Sequence, residues 1–270
     1  MENSSNFSEL IETNKIWAIG SLHSSLDSFQ SIKKYILSNF ELGDKLIFLG
    51  NLIGFRDKSK EIIDEVLKLR FNLMAKYQLK HSDIVFLRGA QEEMFSKLLQ
   101  LHTAPNPIEI LEWIFNHGVD QTIISYNFDP HEFRQVVTQG TIQINKLTTK
   151  LNHKISSNAG HKEFFSNLKH AAYTDTMEVL FVNRGVDISR PLSAQNDCFW
   201  WGYQNFSQIN KPYFSFKRIV RGYQSNTNND IKSAKTKILC TLFKQPLESK
   251  KILAGIFSKN GDILELFEST

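Results

Sequence analysis

The stretch from Lys45 to Glu93 constrains this chain more than any other. It opens K-L-I-F-L-G-N-L-I-G-F-R and closes D-I-V-F-L-R-G-A-Q-E-E, with a segment of helical length between. Two apolar runs, Leu46 to Leu49 and Ile84 to Leu87, each end in a glycine turn, while Ile62, Ile63, Val66 and Leu73 recur at helical spacing. That pattern is a βαβ unit with both turns at one edge of its sheet. A third run, Ile16 to Ile19, ends the same way in G-S-L-H-S. Three strand-to-glycine turns therefore converge where open α/β sheets place their ligands.

Helices are expected on either side of this unit. Leu26, Phe29, Ile32 and Ile36 form an apolar stripe after the first turn, with Ser24 or Ser25 able to cap it, and Asp57 or Ser59 is placed to open the next helix. From Met94 to about His170 the periodicity is mostly helical, broken at Pro105 and Pro107. The last hundred residues return to short apolar runs: Val179 to Val182, Arg218 to Val220, Ile238 to Leu242, Ile252 to Phe257 and Ile263 to Phe267. Asn260-Gly261-Asp262 between the last two is a hairpin turn. Residues 1–14 read as a flexible tail and residues 15–270 as one domain, a size at which a single core is ordinary.

A hydrophobic share of 41% with 22% charged residues excludes a disordered chain. No apolar run approaches the length of a membrane helix, and the polar start is unlike a secretory signal, so a cytoplasmic protein is expected. A net charge of +4 without a basic stripe argues against nucleic acid. Cys198 and Cys240 stand far apart and read as small core residues.

The three turns resemble those of the calcineurin-like metallophosphoesterases, in particular the bacterial-type phosphoprotein phosphatases and diadenosine tetraphosphatases. Those enzymes carry G-D-x-H-G, G-D-x-x-D-R-G and G-N-H-E. This chain has G-S-L-H-S at Gly20 to Ser24, G-N-L-I-G-F-R at Gly50 to Arg56 and G-A-Q-E at Gly89 to Glu92. Val179 to Gln195 is similar to the family's F-V-H-A-G-x-x-P-x-x-P-L-x-x-Q, and Asp197 to Phe206 to its D-x-x-W-x-R-x-x-F. Trp113 to Asn127 resembles its cap segment, and His161, Phe164 and Phe165 fit the phrase that ends the cap. The resemblance spans Lys15 to Phe267. It implies an α/β fold, an αββα sandwich of mixed β-sheets flanked by helices, with a helical cap insertion over residues 94–170.

The resemblance also implies two divalent metals, a manganese, iron or zinc pair, held by carboxylates and imidazoles. Carried over position by position, the six ligands fall on Ser21, His23, Asn51, Ala90, Asn183 and Tyr223, of which only His23 keeps its residue. The general acid falls on Gln91 and its aspartate partner on Gly54; the phosphate-binding arginines fall on Phe55 and Gly202. A shifted frame would bring Arg56 and Asp57 into the second turn, at the expense of the following phrase. No catalytic residue, metal or cofactor is expected.

Two readings follow. In the first the chain is a pseudoenzyme that keeps the fold and binds a protein partner, a phosphorylated group or a nucleotide. Arg56, Arg184 and Arg221, beside His23 and Asn51, could then form an anion site with the turn N–H groups; the commoner alternative is three solvated arginines that never meet. In the second it is a metal-dependent phosphoesterase with a reduced set, His23, Asn51, Asn183 and Tyr223. The remaining histidines, His81, His102, His117, His131, His153, His161 and His170, lack paired ligand spacing. Trp200 and Trp201 with Tyr203 and Phe206 could make a recognition surface, although core packing is the commoner role of such a cluster.

Overall fold

A computed structural model describes residues 6–202, 209–223, 238–243 and 250–270. Among these residues, ten strands form two five-stranded sheets. One contains β1 (Phe7–Leu10), β5 (Ala171–Thr174), β6 (Val179–Val182), β7 (Arg218–Arg221) and β8 (Leu239–Thr241), in that spatial order. The other runs β10 (Ile263–Glu268), β9 (Leu253–Ser258), β2 (Lys15–Ile19), β3 (Lys45–Phe48), β4 (Ile84–Phe86). Both are mixed. β2, β3 and β4 are parallel neighbours, as are β6, β7 and β8, while β9 pairs antiparallel with β2 and β10, and β5 with β6.

The apolar runs are continuous because both faces of each sheet are covered. On β3, Leu46 and Phe48 turn outward to the helices, whereas Ile47 points to the other sheet with Leu49 beyond it. The layer between the sheets is filled by Ile16, Ala18, Ile47, Val85, Phe181, Val220 and Phe257. On the outer face of the β2–β4 sheet lie α1 (Leu26–Asn39), α2 (Ser59–Tyr77) and α3 (Ala90–Leu99). The opposite outer face is covered by the short α9 (Cys198–Trp201) and by Ile209, Tyr213 and Phe216. The expected αββα layering is present, and among the described residues its second outer layer consists of one helical turn and a loop.

The helical segment after β4 contains α4 (Pro107–Asn116), α5 (Asp120–Ser125), α6 (Pro130–Val137), α7 (Thr141–Ser156) and α8 (His161–Ser166). Pro107 and Pro130 each stand at the first helical position, where a missing N–H costs nothing. Ile114, Tyr126, Phe133 and Leu147 join the same core as Phe48 and Phe86, so this cap has no core of its own. It is pinned by a buried chain: the Tyr126 hydroxyl meets His161 Nδ1 at 2.6 Å, and His161 Nε2 lies 3.1 Å from Asp64 Oδ1 on α2.

Two expectations are corrected. Residues 7–10, assigned to a flexible tail, form β1, an edge strand in parallel register with β5. Neither strand announces itself, because each is only four residues long and carries small or polar letters. Ser25 does stand at the N-cap of α1, but its hydroxyl donates to the Lys250 carbonyl (3.1 Å) instead of accepting from the helix. The helix after the second turn begins at Ser59, whose hydroxyl joins Ser24 (2.7 Å) and Thr122 (3.1 Å) in a buried cluster. Both cysteines are buried and free, and Asn260-Gly261-Asp262 joins β9 to β10 with Gly261 at φ 93°.

Candidate functional site

Five strand ends meet at one edge of the sandwich. The turns after β2, β3 and β4 carry Ser21–Ser25, Asn51–Arg56 and Gly89–Gln91, and the ends of β6 and β7 supply Asn183 and Gly222 from the other sheet. Backbone bonds lace them together: Leu22 and His23 donate to the Asn51 carbonyl (3.0 and 2.9 Å), and Ser21 donates to the Gly222 carbonyl (3.1 Å). The approach is so close that Gly50 is obligatory. A Cβ there would stand 2.7 Å from the Gly89 nitrogen, and its φ of 84° is left-handed.

The anchor of this edge is Glu92, 2% exposed. Its carboxylate accepts from the backbone N–H groups of Asn51 (2.9 Å), Leu52 (2.7 Å), Ile53 (3.3 Å) and Gly89 (2.9 Å). Burial pushes its pKa up, and those N–H bonds oppose the shift. Four amides of two different turns are thereby satisfied by one side chain. The motif G-A-Q-E contained this residue, but a retained letter in a turn does not reveal which amides it will serve.

The turns store backbone strain. His23 (φ 45°), Ser24 (57°), Asn51 (53°) and Phe55 (62°) are all left-handed without being glycine. Such positions cost of order 1–3 kcal/mol each and persist where surrounding structure over-determines them. Asn tolerates this region, but a phenylalanine does not.

The structure brings the sequence-derived positions together, and it shows what each does. The Ser21 hydroxyl donates to the Gly222 carbonyl (2.9 Å). Asn51 Oδ1 accepts from the Gln91 N–H (3.0 Å). Asn183 Nδ2 donates to the Leu49 carbonyl (2.7 Å), and its Oδ1 is buried without a partner. Gln91 Nε2 donates to the His117 carbonyl of the cap (2.9 Å), while its Oε1 is also unpartnered. Gly54 lies beneath that amide: a Cβ at Gly54 would stand 2.0 Å from Gln91 Oε1. The glutamine thus fills the space an aspartate at position 54 would need.

Phe55 packs edge-on against His23, ring centroids 5.0 Å apart, and Tyr223 (5.5 Å) and Phe243 (6.3 Å) complete an aromatic collar. Phe243 was not anticipated; it enters from a strand end more than two hundred residues away in sequence. His23 is 3% exposed, and neither ring nitrogen has a hydrogen-bond partner. Burial first and then the Arg56 charge lower its pKa to about 3, with only the backbone of Ile53 pulling upward.

The three arginines divide. Arg56 Nη1 donates to the His23 carbonyl (2.8 Å) and Asp57 is exposed, so the second turn keeps Gly54 and Phe55 inward and the shifted frame is not adopted. Arg184 and Arg221 do meet. Arg221 Nη1 reaches the Arg184 carbonyl at 3.4 Å and its Nε donates to Thr241 Oγ1 (2.9 Å). The Arg184 guanidinium lies 5.7 Å from the centre of the Tyr223 ring and against the open face of Gly202. Burial, with the neighbouring Arg184 charge, lowers the pKa of Arg221 to about 10. Trp200 is buried in the outer core of its sheet, and Trp201 meets Trp113 edge-on at 5.7 Å; Tyr203 and Phe206 lie outside the described residues.

This donor set does not fit a pair of divalent ions. No carboxylate occupies any of the six positions, and among the described residues no three His, Cys, Asp or Glu side chains converge to hold a metal. Hard and borderline cations gain little from the neutral oxygens and ring faces that remain. Arg56, close enough to depress His23, opposes a cation by the same Coulomb sign.

No protein-family model matches this chain, and no curated protein does. Solved structures do. A candidate diadenosine tetraphosphatase superimposes with a TM-score of 0.52 at 14% identity, covering 98% of each chain. A protein serine/threonine phosphatase from Saccharomyces cerevisiae gives 0.48 at 13% identity over 98% of this chain and 84% of that one. A metallophosphoesterase from Sphaerobacter thermophilus gives 0.46 at 13% over 95% and 88%. At such identities the likeness is one of fold, established by the first of the three.

Proposed function

Starting from the calcineurin-like metallophosphoesterase fold, we propose that this chain is a pseudoenzyme that acts by binding and does not hydrolyse phosphate esters. One observation carries the reading. His23, the single ligand letter that survives, is enclosed by Phe55, Tyr223 and Phe243, and burial first and then the Arg56 charge keep it neutral. The positions around it have been turned to internal hydrogen bonds. Hydrolysis in this fold needs a metal-generated nucleophile and a general acid; Gln91, in the acid's place, donates to a cap carbonyl and has no proton to give near neutral pH.

The ligand proposed for this edge is an anion, a phosphorylated side chain or a nucleotide phosphate. Arg184 and Arg221 are brought together at this edge, one of them 8% exposed, and guanidinium groups are the donors that recognise phosphate. A regulatory or assembly role beside a protein partner follows as part of the same proposal, as does a cytoplasmic location. Among the described residues no helix is long and apolar enough to cross a membrane.

The test is the manganese content of the purified chain after incubation with excess metal and removal of free ion. Near-zero metal, with no turnover of a chromogenic phosphate ester, is the expected result. Two ions per chain would overturn the reading and restore the metal-dependent phosphoesterase as the working alternative. Titration with inorganic phosphate then checks the ligand class, with Arg221→Gln expected to weaken binding about tenfold.

A further inference from the structure

A second charged cavity, of about 360 Å³, opens at the side of the sandwich where edge strands β1 and β4 run past each other beneath α8. None of its walls belongs to the turns around His23. Ser8 lies on the same face of β1 as Leu10, which belongs to the inter-sheet core, so the apolar layer ends here in a hydroxyl. Phe86 and Phe164 give the cavity an aromatic wall, their centroids 5.3 Å apart.

Arg70, from the middle of α2, is one of three charged groups in the lining, with Lys169 and Glu9. Its guanidinium lies 5.6 Å from the centre of the Phe86 ring. Nη2 donates to the His81 carbonyl (3.1 Å) and also touches His81 Nδ1, whereas Nε is buried with no partner at all. No carboxylate lies within ion-pair reach of Arg70 among the described residues. Burial lowers its pKa, as expected of a cation withdrawn from water without compensation. A half-buried guanidinium that lines a cavity with ring walls and has no carboxylate partner is the arrangement that receives a planar anion. Glu9 and Lys169 in the same lining offset one another, so with Arg70 the cavity carries one net positive charge, which suits a monoanion better than a dianion.

We propose that this cavity binds a small aryl monocarboxylate, with the carboxylate on Arg70 and the ring against Phe86 and Phe164. Its volume lies at the lower end of the range for small-molecule sites, which suits a ligand of roughly ten heavy atoms. For a ligand of that size a dissociation constant of about 1 mM is expected.

The probe is benzoate, titrated into the full-length chain and followed by amide chemical shifts. Saturable shifts are expected at Ser8, Ser82 and Val85. Benzamide, the neutral isostere, and phenyl phosphate, the dianion, should each bind at least about fivefold more weakly. Arg70→Gln should weaken benzoate about tenfold or more. Ser82→Trp, at the exposed rim, should block it without touching the guanidinium, and Arg221→Gln should leave it unchanged. No saturable shift at these amides up to about 20 mM would overturn the proposal. So would equal binding of benzamide, or benzoate binding unaltered by both Arg70→Gln and Ser82→Trp.

Discussion

Glu92 and His23 lie on either side of the β3 turn at the same edge and are buried to nearly the same degree, yet their surroundings are opposite. Glu92 takes four backbone N–H groups, while His23 has no partner for either ring nitrogen. The pattern extends to their neighbours. Among the positions that the family resemblance gives to ligands and acid, Asn51 Oδ1 and the Ser21 hydroxyl are satisfied, whereas Gln91 Oε1 and Asn183 Oδ1 are not. The second and third turns are therefore tied together by a protein carboxylate. Buried polar groups are normally paired, so the orphans mark where this edge forgoes hydrogen bonds.

Removing the frame should have the largest effect. Glu92→Ala leaves four buried amides without an acceptor and is expected to cost about 3–5 kcal/mol, with Glu92→Gln costing about 1–3 kcal/mol. Urea unfolding measures both. A loss below about 1 kcal/mol for the alanine variant would mean that the turns are held by something other than this carboxylate.

The pocket side of the comparison is visible in acid. His23 is neutral when folded, with a pKa of about 3 against 6.5 when exposed. As pH falls below 6.5 the unfolded chain takes up the proton and the folded chain does not, so stability drops until pH reaches the folded value. Between pH 7 and pH 5 this residue alone accounts for about 2 kcal/mol. His81, His161 and His170 are shifted in the same direction, so the wild-type decline contains more than one histidine. His23→Leu should remove about 2 kcal/mol of it. An unchanged slope in the leucine variant would show that His23 is reachable by solvent.

How far this was legible from sequence divides along the same line. The β3–α2–β4 unit and the convergence of the turns were readable because continuous apolar runs, helical spacing and glycine leave few alternatives. β1 and β5 were not, since Phe7–Leu10 and Ala171–Thr174 are strands only by virtue of each other and of β6. At the site, the letters at Ser21, Asn51, Gly54 and Gln91 were visible in the motifs. Their partners were not: that Gln91 spans to the cap, that Gly54 makes room for it, or that Phe243 closes the collar depends on distances between segments far apart in the chain. The arginines were seen as a trio; the structure pairs Arg184 with Arg221 and sets Arg56 on the other side of His23.

The Gln91–Gly54 contact permits a smaller, sharper test. Gly54→Ala meets both a φ of 90° and an oxygen at 2.0 Å, and should cost about 1–3 kcal/mol. The strain is intrinsic, but the collision belongs to the glutamine. In the Gln91→Ala background the same substitution should therefore cost about 1 kcal/mol less, read as the coupling term of a double-mutant cycle. Additive losses would mean that the amide swings aside and that the two positions are independent.

The smallest expected effect is no effect. Ser21→Asp with Asn51→Asp returns two carboxylates to the first two turns, and carboxylates are what the ligand set most obviously lacks. Manganese content should nevertheless remain near zero. Phe55, Tyr223 and Phe243 still surround the imidazole, Arg56 still sets a positive charge beside it, and Ala90, Asn183 and Tyr223 still offer no strong donor. Uptake should begin only when Ala90→Asn, Asn183→His and Tyr223→His are added, because the last of these both supplies an imidazole and opens the collar. Stoichiometric manganese in the double variant would mean that the aromatic collar yields readily, and that the missing aspartates alone separate this chain from a metal-binding phosphoesterase.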